Sequence, residues 1–238
     1  MELEDKTIIV TGASSGIGAA AALLFAAEGA NVVLGARRAD HLEAVAARIN
    51  RGAGRAVFRA GDVKDEGYAE SLVDLAVNAF GGLDGAFNNV GAVGEMVSIP
   101  DMAVANWEDV IRINLTSAFL AAKAQIPALR KQGRGSVVFT SSFVGFSNGG
   151  MPGMGAYAAA KAGLLGLVQS LASEHAPENI RFNALLPGGT ITPAGGEGNP
   201  ADVPPVLSSA AIWSPIPQSK EIGREEALFR RADHRLPA

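Results

Sequence analysis

Cysteine is absent from the 238 residues, which excludes disulfides, thiolate chemistry and cysteine metal sites. Histidine is scarce, and His41, His175 and His234 lie scattered along the chain without ligand spacing, so no metal centre is expected. There is no basic run, and the net charge of -4 is made of mixed signs, which argues against a nucleic-acid partner. No apolar stretch reaches membrane-spanning length without a glycine or a polar interruption, so no membrane partner is expected either. The opening residues Met1-Glu2-Leu3-Glu4-Asp5-Lys6 are charged and lead straight into a strand, unlike a signal peptide. These absences together point to a soluble, cytoplasmic protein.

What is present suits one α/β domain, since 48% hydrophobic content can fill a large core at this length. Strands are expected near 6–11, 31–36, 55–60, 83–89, 135–141 and 180–186, and helices near 16–28, 40–51, 65–80, 101–132 and 155–176. Runs such as Ile8-Ile9-Val10 and Val137-Val138-Phe139 are continuously apolar, as befits strands covered on both faces. The alternation implies a doubly wound parallel sheet, on which ligands bind beyond the carboxyl ends of the strands. Those ends fall at Gly12, Ala36, Asp62, Asn88, Ser142 and Pro187. Eight of the twelve prolines lie from Pro187 onward, and regular periodicity stops there. The chain therefore reads as a catalytic domain over 1–193 and an atypical Pro/Gly-rich region and tail over 194–238, in which no seventh strand is evident.

Two local patterns carry chemistry. Tyr157 and Lys161 are spaced i,i+4, which stacks a phenol and an ammonium on one helix face. Leu164, Leu165, Val168 and Leu171 continue that face, so the lysine points inward, where a charge is costly unless something polar receives it. A nearby ammonium favours the phenolate and is expected to lower the tyrosine pKa toward the range useful for proton transfer. The alternative is a lysine that snorkels beside a half-buried tyrosine. Near the N-terminus, Gly12-Ala13-Ser14-Ser15-Gly16-Ile17-Gly18 joins an apolar strand to an alanine-rich helix. Glycines there let the backbone approach a pyrophosphate resting on the helix amides. The spacing is Gly-x-x-x-Gly-x-Gly, and a packing requirement alone remains a competing reading.

With both patterns in place, the chain resembles the short-chain dehydrogenase/reductase family over residues 5 to about 193. Further matches follow in order: Asp62-Val63 after the third strand, Asn88-Asn89-Val90-Gly91 after the fourth, Asn114 opening a helix, Ser141-Ser142 ending the fifth strand, and Pro187-Gly188 ending the sixth, with Thr192 beyond. Val90 stands where the family usually has alanine. The ordered set is far more specific than any one motif.

The resemblance implies a Rossmann-like fold and hydride transfer between a nicotinamide and a carbonyl or secondary alcohol. Tyr157 would be the acid or base, and Lys161 would tune it and bond the nicotinamide ribose. Ser142 would hold the substrate oxygen, and Asn114 would fix a water linking Lys161 to solvent. Gly12, Ser14, Ser15, Gly16, Ile17 and Gly18 would line the pyrophosphate turn. Asp62 and Val63 would meet the adenine, and Asn89 and Gly91 the ribose side. Pro187, Gly188, Thr190 and Thr192 would also bind the cofactor. After the second strand, Ala36 stands where an NAD site wants a carboxylate, and Arg37 and Arg38 follow, which favours NADP (NADPH) over NAD. Phe143, Val144, Phe146, Met151 and Met154 suit an apolar small-molecule carbonyl or alcohol, or else pack beneath the loop. Leu115, Phe119, Ala122 and Ile126 form a helical stripe that serves either the sheet or a second copy, in a homodimer or homotetramer. The unusual tail keeps open a different class, a catalytically silent dinucleotide-binding or regulatory protein of the same fold.

Overall fold

The computed structural model describes residues 1–147, 151–188 and 210–213. Strands β1 (Thr7–Thr11), β2 (Asn31–Ala36) and β4 (Gly85–Asn88) are buried at every position, which is why their sequences run apolar rather than alternating. With β3 (Arg55–Ala60), β5 (Gly135–Thr140), β6 (Ile180–Pro187) and β7 (Ala210–Trp213) they form one sheet in the order β3-β2-β1-β4-β5-β6-β7. The first six strands are parallel. The chain winds outward from β1 to β3, then returns to place β4 on the other side of β1. That reversal opens a crevice at the carboxyl ends of β1 and β4.

Side chains alternate between the two faces of the sheet. Ile9, Val33, Val137, Phe139 and Phe182 pack under α3 (Glu66–Phe80), α5 (Ser117–Gln132) and α7 (Gly155–His175). Ile8, Val10, Val32 and Leu34 pack under α1 (Gly16–Ala27) and α2 (Ala39–Asn50). Two further helices, α4 (Val104–Ile111) and the short α6 (Phe143–Ser147), flank the crevice.

Three expectations need correction. The single helix expected over 101–132 is divided: a 3-10 turn at Ile99–Asp101 is followed by α4, a π-helical turn at Arg112–Thr116, and α5. Asn114 therefore lies inside a helical run and does not open one. The Ser117 amide reaches five residues back to the Arg112 carbonyl, and its hydroxyl takes the Ile113 carbonyl left by that shift, at 2.5 Å. The seventh strand, read as missing, exists as β7, which runs antiparallel to β6 with Ala210 opposite Pro187 and Trp213 opposite Ala184. Ala210-Ala211-Ile212-Trp213 is a short apolar run whose prolines on either side mask it in the sequence. The rest of the expected tail lies outside the described residues. Among the described residues, no helix is long and apolar enough to cross a membrane.

Candidate active site

The glycine turn between β1 and α1 is shaped by close backbone contact. Gly12 has φ +68°, and a Cβ on Gly18 would stand 2.3 Å from the Gly12 carbonyl oxygen. Only glycine permits this crossing, and it brings the start of α1 under the crevice. The first turn of α1 has no acidic residue, and Ser15 makes no side-chain cap, so the helix amides are open to an anion. The turn thus fits a dinucleotide pyrophosphate. Arg38, at the start of α2, leans over it: its guanidinium donates to the hydroxyls of Ser14 (3.1 Å) and Ser15 (3.0 Å). Arg37 is exposed beside it, and Ala36, buried at the end of β2, leaves no carboxylate there.

Asp62 is half-buried and accepts the Lys64 amide at 3.0 Å, which closes a tight turn after β3. Val63 packs against the core beside it. Beyond β4, the Asn89 amide donates to the Thr11 hydroxyl (3.1 Å), and the Asn89 side-chain oxygen accepts from the Thr140 hydroxyl (3.0 Å). A Cβ on Gly91 would stand 3.0 Å from Asn114 Oδ1 and 3.1 Å from Lys161 Nζ. This loop thus reaches both the dinucleotide turn and the lysine.

Lys161 is 1% exposed and donates to the Thr140 carbonyl at 2.7 Å. Burial pulls its ammonium down from the ordinary lysine range to about 7. Tyr157, one turn earlier on α7, is half-buried with Lys161 Nζ 5.5 Å from its ring centre. Its pKa moves opposite to the expected direction: burial raises it, and a hydrogen bond with Ser142 partly opposes the rise. Desolvation of the phenol wins here, and Lys161, itself pulled down to about 7, is no longer an ammonium in the range where the phenol titrates. Ser142 is buried and also accepts the Val144 amide at 3.3 Å. The structure therefore brings Ser142, Tyr157 and Lys161 together.

Asn114 lies in the same region with its side chain committed to the backbone. Its Nδ2 donates to the carbonyls of Ala92 (2.7 Å) and Val110 (2.8 Å), and its Oδ1 accepts the Ala92 amide (3.2 Å). It clamps the loop after β4 to the π-helical turn, and the side-chain amide hydrogens have no capacity left to hold a water. Pro187 ends β6, and Gly188 follows it half-buried. Thr190 and Thr192 lie outside the described residues. Of the apolar residues after Ser142, Val144 packs inward while Phe146 and Met151 are 46% and 44% exposed. Among the described residues no cluster could hold a metal ion, and His175 is buried against Glu178.

Sequence reasoning missed Thr140, Thr11 and the role of Ser141, whose hydroxyl donates to the Lys161 carbonyl at 2.8 Å and anchors α7 to the strand end. The tandem Ser141-Ser142 carried that signal, because neighbours leaving a strand point opposite ways.

A doubly wound sheet with a glycine turn at its switch point and a Ser, Tyr, Lys group at the next strand ends defines a dinucleotide-dependent oxidoreductase. The chain belongs to the short-chain dehydrogenase family, whose model matches residues 6–202. It is 36% identical over 218 residues to the uncharacterised oxidoreductase YciK of Escherichia coli, covering 90% of this chain and 85% of that one. It is 37% identical to the 3-oxoacyl-acyl-carrier-protein reductase FabG of Thermotoga maritima, covering 81% and 77%. A crystal structure of levodione reductase superposes with a TM-score of 0.76 at 36% identity, covering 80% of this chain and 74% of that one. The protein is thus an oxidoreductase acting between CH–OH and C=O groups.

Proposed function

We propose that this protein is an NADP-dependent carbonyl reductase or alcohol dehydrogenase for small neutral substrates, with Tyr157 as the proton donor or acceptor. The observation that carries the reading is the hydrogen bond between Tyr157 and Ser142 above a fully buried Lys161. A bound nicotinamide supplies or receives the hydride. Ser142 holds the substrate oxygen against the phenol; in reduction the Tyr157 hydroxyl gives its proton to the oxygen of the forming alcohol, and in oxidation the phenolate takes it back. Lys161 bonds the ribose, and Asn114 keeps the loop over it in place through Ala92. Gly12, Ser14, Ser15, Gly16, Ile17 and Gly18 cradle the pyrophosphate. Asp62, Val63, Asn89 and Gly91 line the adenosine side, and Pro187 and Gly188 the nicotinamide side.

NADP is favoured because Arg38 already stands at the turn on two serine hydroxyls, with Arg37 beside it and Ala36 in place of a carboxylate. A guanidinium so placed pairs with a 2′-phosphate, which a carboxylate would repel.

The relatives' names differ in substrate, so the mouth of the site carries the choice. Across 92–99, 142–147 and 151–157 the only charged residue is Glu95. Gly153 abuts Met96 and Gly155 abuts Ile99, which joins the first and the third of these segments into one apolar rim. An uncharged, largely apolar ketone or secondary alcohol suits that rim, and an anionic one finds Glu95 and no cation on these described segments. The test is a panel of neutral ketones, keto acids and acyl thioesters with NADPH and NADH, following the absorbance of the reduced nicotinamide. Turnover confined to the keto acids, or absent throughout, contradicts the reading.

For assembly, a groove of about 320 Å³ between α5 and α7 is lined by Phe119, Ile126, Leu167 and Leu171, and Phe119 is 52% exposed. Ala122 and Ile126 of the helical stripe are buried in the core, so Phe119 is left to meet a second copy in a homodimer or homotetramer.

A further inference from the structure

Behind the site, Asn88 and Gln125 form a closed amide pair. Asn88 Nδ2 donates to Gln125 Oε1 and Gln125 Nε2 donates to Asn88 Oδ1, both at 3.0 Å. The two residues are 8% and 2% exposed. Gln125 sits on α5 among the buried Ala121, Ala122, Ile126 and Leu129, where an apolar side chain would fill the space without desolvating an amide. A buried amide in such a place is stabilising only through a directional partner, and here both partners are satisfied by each other. The pair borders a cavity of about 30 Å³ shared with Thr11, Ser117 and Thr140, room enough for a water to meet the remaining amide hydrogens.

What the pair holds is the end of β4. Asn88 is its last residue, and Asn89 follows, pinned between the Thr11 and Thr140 hydroxyls. Cβ atoms on Gly12 and Gly18 would lie 3.1 and 2.9 Å from the Asn89 side chain, and one on Gly91 would lie 3.1 Å from Lys161 Nζ. A shift of a few tenths of an ångström at Asn88 therefore reaches the dinucleotide turn and the lysine together.

We propose that Gln125 is a positioning residue for dinucleotide binding and hydride transfer, setting the 88–91 loop through its two-bond pair with Asn88. The proposal rests on the oxidoreductase reading above. It is tested on the full chain with Gln125→Leu, Asn88→Leu and the double variant, by NADPH and NADH titration, kcat/KM on a neutral ketone, and urea unfolding. Each single variant strands a buried amide and loses both stability and affinity. The double removes both polar groups, so stability returns toward that of the unmodified protein, while NADPH affinity and kcat/KM remain about ten- to a hundredfold weaker. Stability, affinity and turnover recovering together in the double variant make the pair a packing device and overturn the proposal.

If the double variant fails to recover stability, Gln125→Glu decides. A protonated carboxyl both donates and accepts as the amide does, whereas a carboxylate only accepts and faces Asn88 Oδ1 without a hydrogen. The ratio of variant to unmodified kcat/KM then falls with rising pH through one additional titration, over a range where circular dichroism shows both proteins folded. A flat ratio overturns the proposal. An unmodified protein that binds neither NADPH nor NADH overturns the oxidoreductase reading and this proposal with it, which separates that failure from a failure of the positioning role alone.

Discussion

The Lys161 ammonium donates to the Thr140 main-chain carbonyl across 2.7 Å, in a place where the lysine is 1% exposed. One neutral acceptor does not offset the desolvation of a full charge, so the group titrates near 7 in the folded chain against 10.5 ordinarily. Between those values the unfolded chain holds a proton that the folded chain has released, so folding stability rises with pH across the window and is lost as pH falls toward 7. Lys161→Met removes the titrating group. Its stability relative to the unmodified protein should be greatest at and below pH 7, by a few kcal/mol, and should converge with it toward pH 10.5. Urea unfolding of both proteins at several pH values measures the difference, and a pH-independent gap would show that Lys161 stays charged when buried.

For Tyr157, burial raises the phenol pKa and the Ser142 bond works against that rise. The phenol is therefore the dominant form below 10, which suits donation during ketone reduction. Tyr157→Phe should retain dinucleotide binding while turnover falls roughly 10²- to 10⁴-fold. With the tyrosine intact, the phenol itself should give reduction no limb below its ordinary range, so any change near pH 7 belongs to Lys161, whereas alcohol oxidation should climb with pH as phenolate forms. Ser142→Ala removes the opposing hydrogen bond and should move the oxidation limb to higher pH. Steady-state profiles in both directions test this, and an oxidation limb that stays in place would detach Ser142 from the phenol.

Much of this architecture was legible because it is written locally. Ile8-Ile9-Val10 and Val137-Val138-Phe139 declared strands covered on both faces, and the Gly12 to Gly18 spacing declared a glycine turn between strand and helix. What escaped depends on partners far apart in the chain. The π-helical turn needs the Ser117 hydroxyl on Ile113 and the Asn114 amide on Val110, choices that helical periodicity does not encode. β7 has four residues and acquires its identity only beside β6. The rise in the Tyr157 pKa reflects burial, which no i,i+4 spacing conveys, and Asn88 meets Gln125 from 37 residues away.

Arg38 offers a sharper cofactor test than the sequence alone suggests, because its guanidinium already sits on Ser14 and Ser15. A charge-assisted hydrogen bond contributes about 1.5–3 kcal/mol. Arg38→Ala should therefore weaken NADPH by roughly ten- to a hundredfold and leave NADH nearly unchanged. Adding Ala36→Asp should supply a ribose acceptor and invert the preference. Titration of both dinucleotides decides the matter, and equal losses for NADH and NADPH in Arg38→Ala would mean that the arginine shapes the turn without reading the phosphate.

Two glycines in the site should respond differently to the same added methyl group. At Gly18 the new Cβ would lie 2.3 Å from the Gly12 carbonyl oxygen and 2.8 Å from its carbon, both backbone atoms at the crossing of strand and helix. Nothing there can turn aside, so Gly18→Ala should destabilise the fold by about 1–3 kcal/mol or more, as overpacking does, and should abolish dinucleotide binding. At Gly91 the contacts are 3.0 Å to Asn114 Oδ1 and 3.1 Å to Lys161 Nζ, the far ends of two side chains. Asn114 is held by its three hydrogen bonds, so the lysine end has to yield by a few tenths of an ångström, and Gly91→Ala should cost less than Gly18→Ala, about 1 kcal/mol. The movement falls on the lysine, however, and kcat/KM should drop about tenfold, in keeping with the sensitivity of transfer chemistry to sub-ångström misplacement. Thermal unfolding and kinetics on the two variants separate the outcomes. A Gly91→Ala protein with full activity would place Lys161 outside the geometry that limits turnover.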